Sequence, residues 1–252
     1  MAAGTLAPFD AVIFDLDGVV TDTASVHLAA WKELLDGVLQ DRRLAQEVRR
    51  GPFTAEDYRR FVDGRTREDG LRTFLASRGA MVPSGSPGDD GEVWSLAGLA
   101  ARKDSLFTAR IRRQGVKSYP GTTALLARLR AGGVHLGLVT ASRNASLVLA
   151  AAGLGKCFDT VVDGVSAAAL GLPGKPEPAV FLEAARRLGV DPGQSVIVED
   201  AVAGVEAGRR GGFRLVVGID RSGQREELEA AGADVVLEDL SEFDIGLVLT
   251  DP

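Results

Sequence analysis

Six short apolar runs, rich in β-branched residues and mostly without polar alternation, punctuate this chain at residues 10–15, 134–140, 160–163, 195–200, 214–219 and 233–237. Runs of this kind read as strands buried on both faces. Between the later ones lie helical patterns at 122–131, 143–152, 177–188, 201–210 and 224–230, and Gly132, Gly153, Gly189 and Gly232 follow where C-caps belong. Strand and helix in regular alternation predict an α/β fold built on a doubly wound parallel sheet.

The stretch after the first run has another texture. AWKELLDGVL, AEDYRRFVDG, REDGLRTFLASRG and GLAARKDSLFTARIRR show helical periodicity with no strand run among them. An all-helical module over residues 23–114 is therefore expected to interrupt a core formed by 1–22 and 115–252. At 252 residues the chain can bury one sizeable core and a smaller second one. Within the module PSGSPGDDGE reads as a mobile loop.

The first run ends in FDLDG, so Asp15 and Asp17 stand two residues apart as the strand leaves the sheet. Side chains at i and i+2 of an extended chain project to the same side. The run beginning at Ser195 ends in Glu199 and Asp200, and a helix follows near Ala201. In a parallel sheet these carboxyl ends share one edge, where the connecting loops form a crevice. Two unit charges ~4 Å apart repel by roughly 4 kcal/mol at an effective dielectric near 20, so four clustered acids call for a cation. Oxygen donors and hard charge favour magnesium.

Two other strand ends supply complementary groups. Thr140 closes LGLVT with a hydroxyl, and Lys175 lies in PGKPEPAVF just ahead of a helix. A hydroxyl, an ammonium and a metal around an aspartate make a phosphoryl site in which Asp15 attacks phosphorus.

DLDGVVTD, VTAS, GKPEP and VEDAVAGVEAG, in that order, resemble the four motifs of the haloacid dehalogenase superfamily of phosphotransferases. Within it, TDTASVHLAAW, VDGRTREDGL, ARKDSLF, YPGTTALLARLR and TASRNA look like the β-phosphoglucomutase group, so the resemblance covers nearly the whole chain. It implies a Rossmann-like core with a helical cap. It further implies Asp15 as the phosphorylated nucleophile and Asp17 as general acid and base. Magnesium would be bound by Asp15, Glu199, Asp200 and the backbone carbonyl of Asp17, while Thr140 and Lys175 would hold the transferring phosphoryl group. Arg67, Ser142, Arg143 and Asn144 would grip a second phosphate, and His27 and Lys103 would face the sugar. The chain departs from the pattern at Asp63, where a lysine is expected, and at Asp104, where an asparagine is expected. Both changes add negative charge to the helical module.

The function that follows is interconversion of hexose 1-phosphate and hexose 6-phosphate through a phospho-aspartate and a bisphosphate. The alternative is a magnesium-dependent sugar-phosphate phosphatase of the same superfamily, and a third reading is a non-catalytic binding protein on this fold. A small sugar phosphate is the expected partner. A net charge of −6 argues against nucleic acid, and no apolar stretch reaches membrane-spanning length. The N-terminal MAAGTLAPFD lacks a secretory pattern, so a cytoplasmic location is expected, and separately a monomer. Simpler roles are expected elsewhere: Trp31 in a core, His135 in a core or at an edge, Cys157 in packing. The pairs Arg42-Arg43, Arg49-Arg50, Arg59-Arg60 and Arg112-Arg113 read as solvated helix faces.

Overall fold

A computed structural model describes residues 9–221 and 223–243. Residues 1–8, on which most of the secretory-signal reading rests, lie outside the described residues. The chain divides into two compact units, one of Met1–Asp22 with Val116–Pro252 and the other of Thr23–Gly115.

The helical unit contains α1 (Ala24–Leu39), α2 (Ala55–Phe61), α3 (Arg67–Ser77) and α4 (Leu96–Gln114). Each of the last three starts on a hydroxyl: Thr54, Thr66 and Ser95 accept from the backbone N–H three residues on, and Thr54 with Asp57 closes a capping box. The apolar faces meet in a core that includes Trp31, Leu34, Phe53, Leu71, Phe74 and Leu99. Full burial of such side chains contributes about 1.5–3 kcal/mol each. Phe53 meets Phe74 edge to face, with ring centroids 5.0 Å apart.

Two expectations for this unit change. Arg42, Arg43, Arg49 and Arg50 all lie outside any helix, and Arg50 is no solvated arm. Its guanidinium donates to the carbonyls of Leu39, Asp41 and Leu44, where the chain leaves α1 with unsatisfied acceptors. The loop at 83–92 is tied down as well: Leu96 N–H donates to Pro83 O, and Asp89 accepts from the hydroxyl of Ser95 and the N–H of Ser86.

The other unit holds a six-stranded, wholly parallel sheet of β1 (Ala11–Asp15), β2 (His135–Val139), β3 (Thr160–Val162), β4 (Ser195–Glu199), β5 (Leu215–Ile219) and β6 (Val235–Leu237). The expected doubly wound sheet is present, in the order β3-β2-β1-β4-β5-β6. Every residue of β1 and β4 is buried, as their unbroken apolar runs imply. The order turns back at β1, so the crevice for a ligand opens beyond the carboxyl ends of β1 and β4. Register aligns those ends, pairing Asp15 with Val139 and Phe14 with Val198.

Helices α5 (Pro120–Ala131), α6 (Ala145–Ala151), α8 (Ala179–Leu188), α9 (Val202–Arg210) and α10 (Arg225–Ala230) fall within the expected patterns, to within two residues at their ends. The short α7 (Gly164–Ala169) was not expected; its sequence GVSAAA offers no apolar stripe, and a capping box between Asp163 and Ser166 starts it. Gly189 ends α8 in the left-handed conformation, at φ 72°. After α5 it is Gly133, one residue beyond the expected Gly132, that takes positive φ. Trp31 is buried, Cys157 is half-buried, and His135 is exposed at the start of β2. Among the described residues, no helix is long and apolar enough to cross a membrane.

Candidate active site

The centre of the site is a buried lysine. Lys175 precedes α8, and its Nζ donates to Asp15 Oδ1 at 2.5 Å and to a carboxylate oxygen of Glu199. All three residues are buried: Glu199 is 0% exposed, Lys175 6% and Asp15 7%. Groups 160 and 24 residues away from Lys175 thus meet because parallel pairing brings the ends of β1 and β4 level.

The charges here are unequal. Burial pushes the Asp15 carboxyl well above the usual carboxylate range; Lys175 opposes the rise, while Glu199 and Asp17 add to it. Burial disfavours the Lys175 ammonium too, yet Asp15 and Glu199 hold it above its ordinary range. One ammonium thus serves two carboxylates, and negative charge is left over.

The rest of the site hangs on these strand ends. Asp17 turns its backbone N–H onto Asp15 Oδ2 at 2.8 Å, and its carboxylate accepts from the Thr140 hydroxyl at 3.3 Å. Thr140 Oγ1 accepts from Ser142 N–H at 3.0 Å, and Ser142 Oγ accepts from Asn144 N–H at 3.2 Å. Ser142 and Asn144 thus join the same loop, and Arg143 between them is exposed. Asp200 packs onto the turn after Asp17, because a Cβ on Gly18 would lie 1.7 Å from Asp200 Oδ2. Glycine is needed there for space and for its φ of 92°. Glu199 needs a second glycine: a Cβ on Gly204 in α9 would fall 1.8 Å from its Oε1.

The expected role of Glu199 as a metal ligand gains a qualification. Its Oε1 accepts from Lys175, and its Oε2 accepts from the N–H groups of Asp200 and Ala201, both at 2.9 Å. A cation could use only the lone pairs these bonds leave. Among the described residues no group of three or more Asp, Glu, His or Cys side chains forms a ready cation cage. The donor chemistry nevertheless suits a hard divalent ion: Asp15 and Asp200 are oxygen donors, and the acids around Asp15 exceed the charge of Lys175.

The remaining expected residues belong to the helical unit. His27 in α1 stacks on Phe107 with centroids 4.0 Å apart, and its Nδ1 lies 2.5 Å from Lys103 Nζ. Lys103 is 1% exposed and also lies over the Trp31 ring. Arg67 starts α3 and pairs with Asp104 at 2.8 Å, a residue in α4 beside Lys103. The departure from the mutase pattern at position 104 therefore contacts the arginine expected to bind phosphate.

The sequence matches the family model for haloacid dehalogenase-like hydrolase over residues 9–212. It is 43% identical over 237 residues to a β-phosphoglucomutase of Mycobacterium bovis, covering 92% of this chain and 90% of that protein. A β-phosphoglucomutase of Bacillus subtilis is 31% identical over 238 residues, or 94% of this chain and 93% of that one. Among solved structures, β-phosphoglucomutase from Clostridium difficile superposes with a TM-score of 0.75 at 26% identity, covering 95% of each chain.

Proposed function

Because this chain belongs to the haloacid dehalogenase-like hydrolases, we propose that it acts as a β-phosphoglucomutase, moving phosphate between the C1 and C6 oxygens of a hexose through phospho-Asp15. The observation that carries the reading is Lys175 bridging Asp15 and Glu199 at the switch point of the sheet, with Asp17 and Thr140 alongside. Relatives named β-phosphoglucomutase that align along nearly the whole chain support the sugar class.

In the working cycle Asp15 carries the phosphoryl group. The C6 hydroxyl of the hexose 1-phosphate attacks phosphorus, and the Asp17 carboxylate takes its proton. The bisphosphate turns over, Asp15 attacks the phosphorus at C1, and Asp17 returns the proton to the departing C1 oxygen. Asp15 is phosphorylated again and hexose 6-phosphate leaves. Lys175 and Thr140 hold the equatorial phosphoryl oxygens as charge moves across them. Asp15, Asp200 and the Asp17 carbonyl would hold magnesium, with Glu199 contributing through Lys175 and the amides it fixes. When bound, the ion neutralises charge on the phosphoryl oxygens and on Asp15. Ser142, Arg143 and Asn144 in the sheet unit and Arg67 in the helical unit are each assigned to phosphate binding, and His27 and Lys103 to recognition of the sugar.

The same core could serve a phosphatase, with water replacing the sugar hydroxyl. The test is incubation with β-glucose 1-phosphate, magnesium and a trace of glucose 1,6-bisphosphate, measuring glucose 6-phosphate beside free phosphate. Glucose 6-phosphate should predominate; mainly free phosphate would move the assignment to the phosphatase.

A further inference from the structure

The turn carrying Asp17 is bonded at nearly every step. Leu16 O accepts from the N–H groups of Val20 and Thr21 at 3.0 and 2.9 Å, and Gly18 N–H donates to Thr21 O at 2.8 Å. Val19 O accepts from the Thr122 hydroxyl at 2.7 Å, and Val20 O from Tyr119 N–H at 3.2 Å. These donors come from the turn itself or from the start of α5. The carbonyl of Gly18 is held differently: it accepts from Arg221 Nε at 3.0 Å, a residue 203 positions away just after β5.

Arg221 is itself fixed. Its guanidinium carbon lies 3.8 Å from the centroid of the Tyr119 ring, and its Nη1 donates to Glu238 O at 2.9 Å. Nη1 also lies 3.5 Å from Asp239 Oδ2. Among the described residues its Nη2 is buried with no hydrogen-bond partner, an arrangement that costs stability. An arginine serving stability alone would gain by turning that nitrogen to an acceptor. The pose instead delivers Nε to one carbonyl.

We infer that Arg221 is a positioning residue for the metal-binding turn. Gly18 is free to rotate about both backbone bonds, so the peptide planes on either side of it need anchors. Thr21 O anchors the plane that contains the Asp17 carbonyl, and Arg221 anchors the next. With both fixed, the Asp17 carbonyl keeps one direction while Asp200 packs against Gly18. The inference rests on the magnesium assignment made above.

The test is calorimetric titration of magnesium into wild type, Arg221→Ala, Arg221→Lys and, as a control, Arg225→Ala. Arg225 lies in the same region and donates to another backbone carbonyl, that of Val236, at 2.7 Å. Both Arg221 variants should bind magnesium about 10–100-fold more weakly, the usual effect of removing an outer-shell partner, while Arg225→Ala stays within about twofold of wild type. Lysine keeps the charge but lacks the planar fork, so Arg221→Lys decides the matter if Arg221→Ala does not fold. Wild-type affinity in the Arg221 variants, or an equal loss in Arg225→Ala, overturns the positioning role. Wild type that takes up no magnesium overturns the metal assignment itself, and the inference with it.

Discussion

Lys175 and Lys103, two of the five lysines in the chain, are both buried, one in each unit, and their neighbours differ in chemistry. Lys175 is held by two carboxylates and lies 5.0 Å from the Phe181 ring. Lys103 lies over the rings of Trp31 and Phe107, at 5.2 and 4.7 Å, with an imidazole nitrogen at its tip. The first arrangement balances fixed charges with a fixed cation. The second sets the ammonium over π faces, which attract a cation through the ring quadrupole. On the proposed assignment, phosphoryl chemistry and sugar recognition would use the same side chain in two ways.

Substitutions can break or sharpen that contrast. The largest effect should come from Asp15→Asn, which removes the proposed nucleophile beside Lys175: turnover should fall on the order of 10⁶-fold, as when other covalent nucleophiles are lost. No single substitution in the helical unit should match it, and a variant retaining a tenth of the activity would take Asp15 out of the nucleophile role.

Next come the lysines themselves. Lys175→Met leaves Asp15 and Glu199 buried without their counter-ion and should destabilise the fold by about 3–5 kcal/mol. Lys103→Met keeps the length and the contact with the rings, so stability should change by no more than about 1 kcal/mol while sugar transfer drops. Thermal melts of the pair decide it; equal losses would erase the distinction.

Arg67→Ala should remove roughly 2–4 kcal/mol of transition-state stabilisation from phosphate transfer to sugar, while slow hydrolysis of phospho-Asp15 survives. Mutase flux and phosphate release are compared side by side, and a parallel fall in both would leave Arg67 as a helix-start arginine. The smallest effect belongs to Asp104→Asn. The Arg67–Asp104 pair is partly exposed, and such pairs contribute about 1 kcal/mol or less, so freeing Arg67 should lower KM for the hexose phosphate by up to about fivefold. An unchanged or raised KM would make Asp104 a support for Arg67 rather than its competitor.

Much of the catalytic unit was legible because its signals are local. An apolar run ending in DLD or VED states both a strand and its polar end. The parallel order and register then bring Asp15, Thr140, Lys175 and Glu199 to one edge. What the residues could not state is which partner each side chain takes. Nothing in VED shows that Glu199 spends both oxygens on Lys175 and two amides. Nothing in TREDGL pairs Arg67 with Asp104, 37 positions on, or Arg221 with Gly18. Arg50 was misread for the same reason, since an arginine's acceptors lie on backbone that pattern alone does not place. The short α7 escaped because six small residues carry no periodicity, although Asp163 and Ser166 held its capping signal.

Gly204 has a consequence for inheritance. A single-base change can turn a glycine codon into one for alanine, a substitution that adds one methyl group, favours helix and alters neither charge nor hydropathy in any way a sequence scan would flag. Here that methyl group would claim the space of the Glu199 carboxylate. Displaced, Glu199 would release Lys175, and Lys175 would no longer be centred between its two acids. A lineage could thus lose this enzyme through a change that looks harmless, at a position that bears no chemistry of its own.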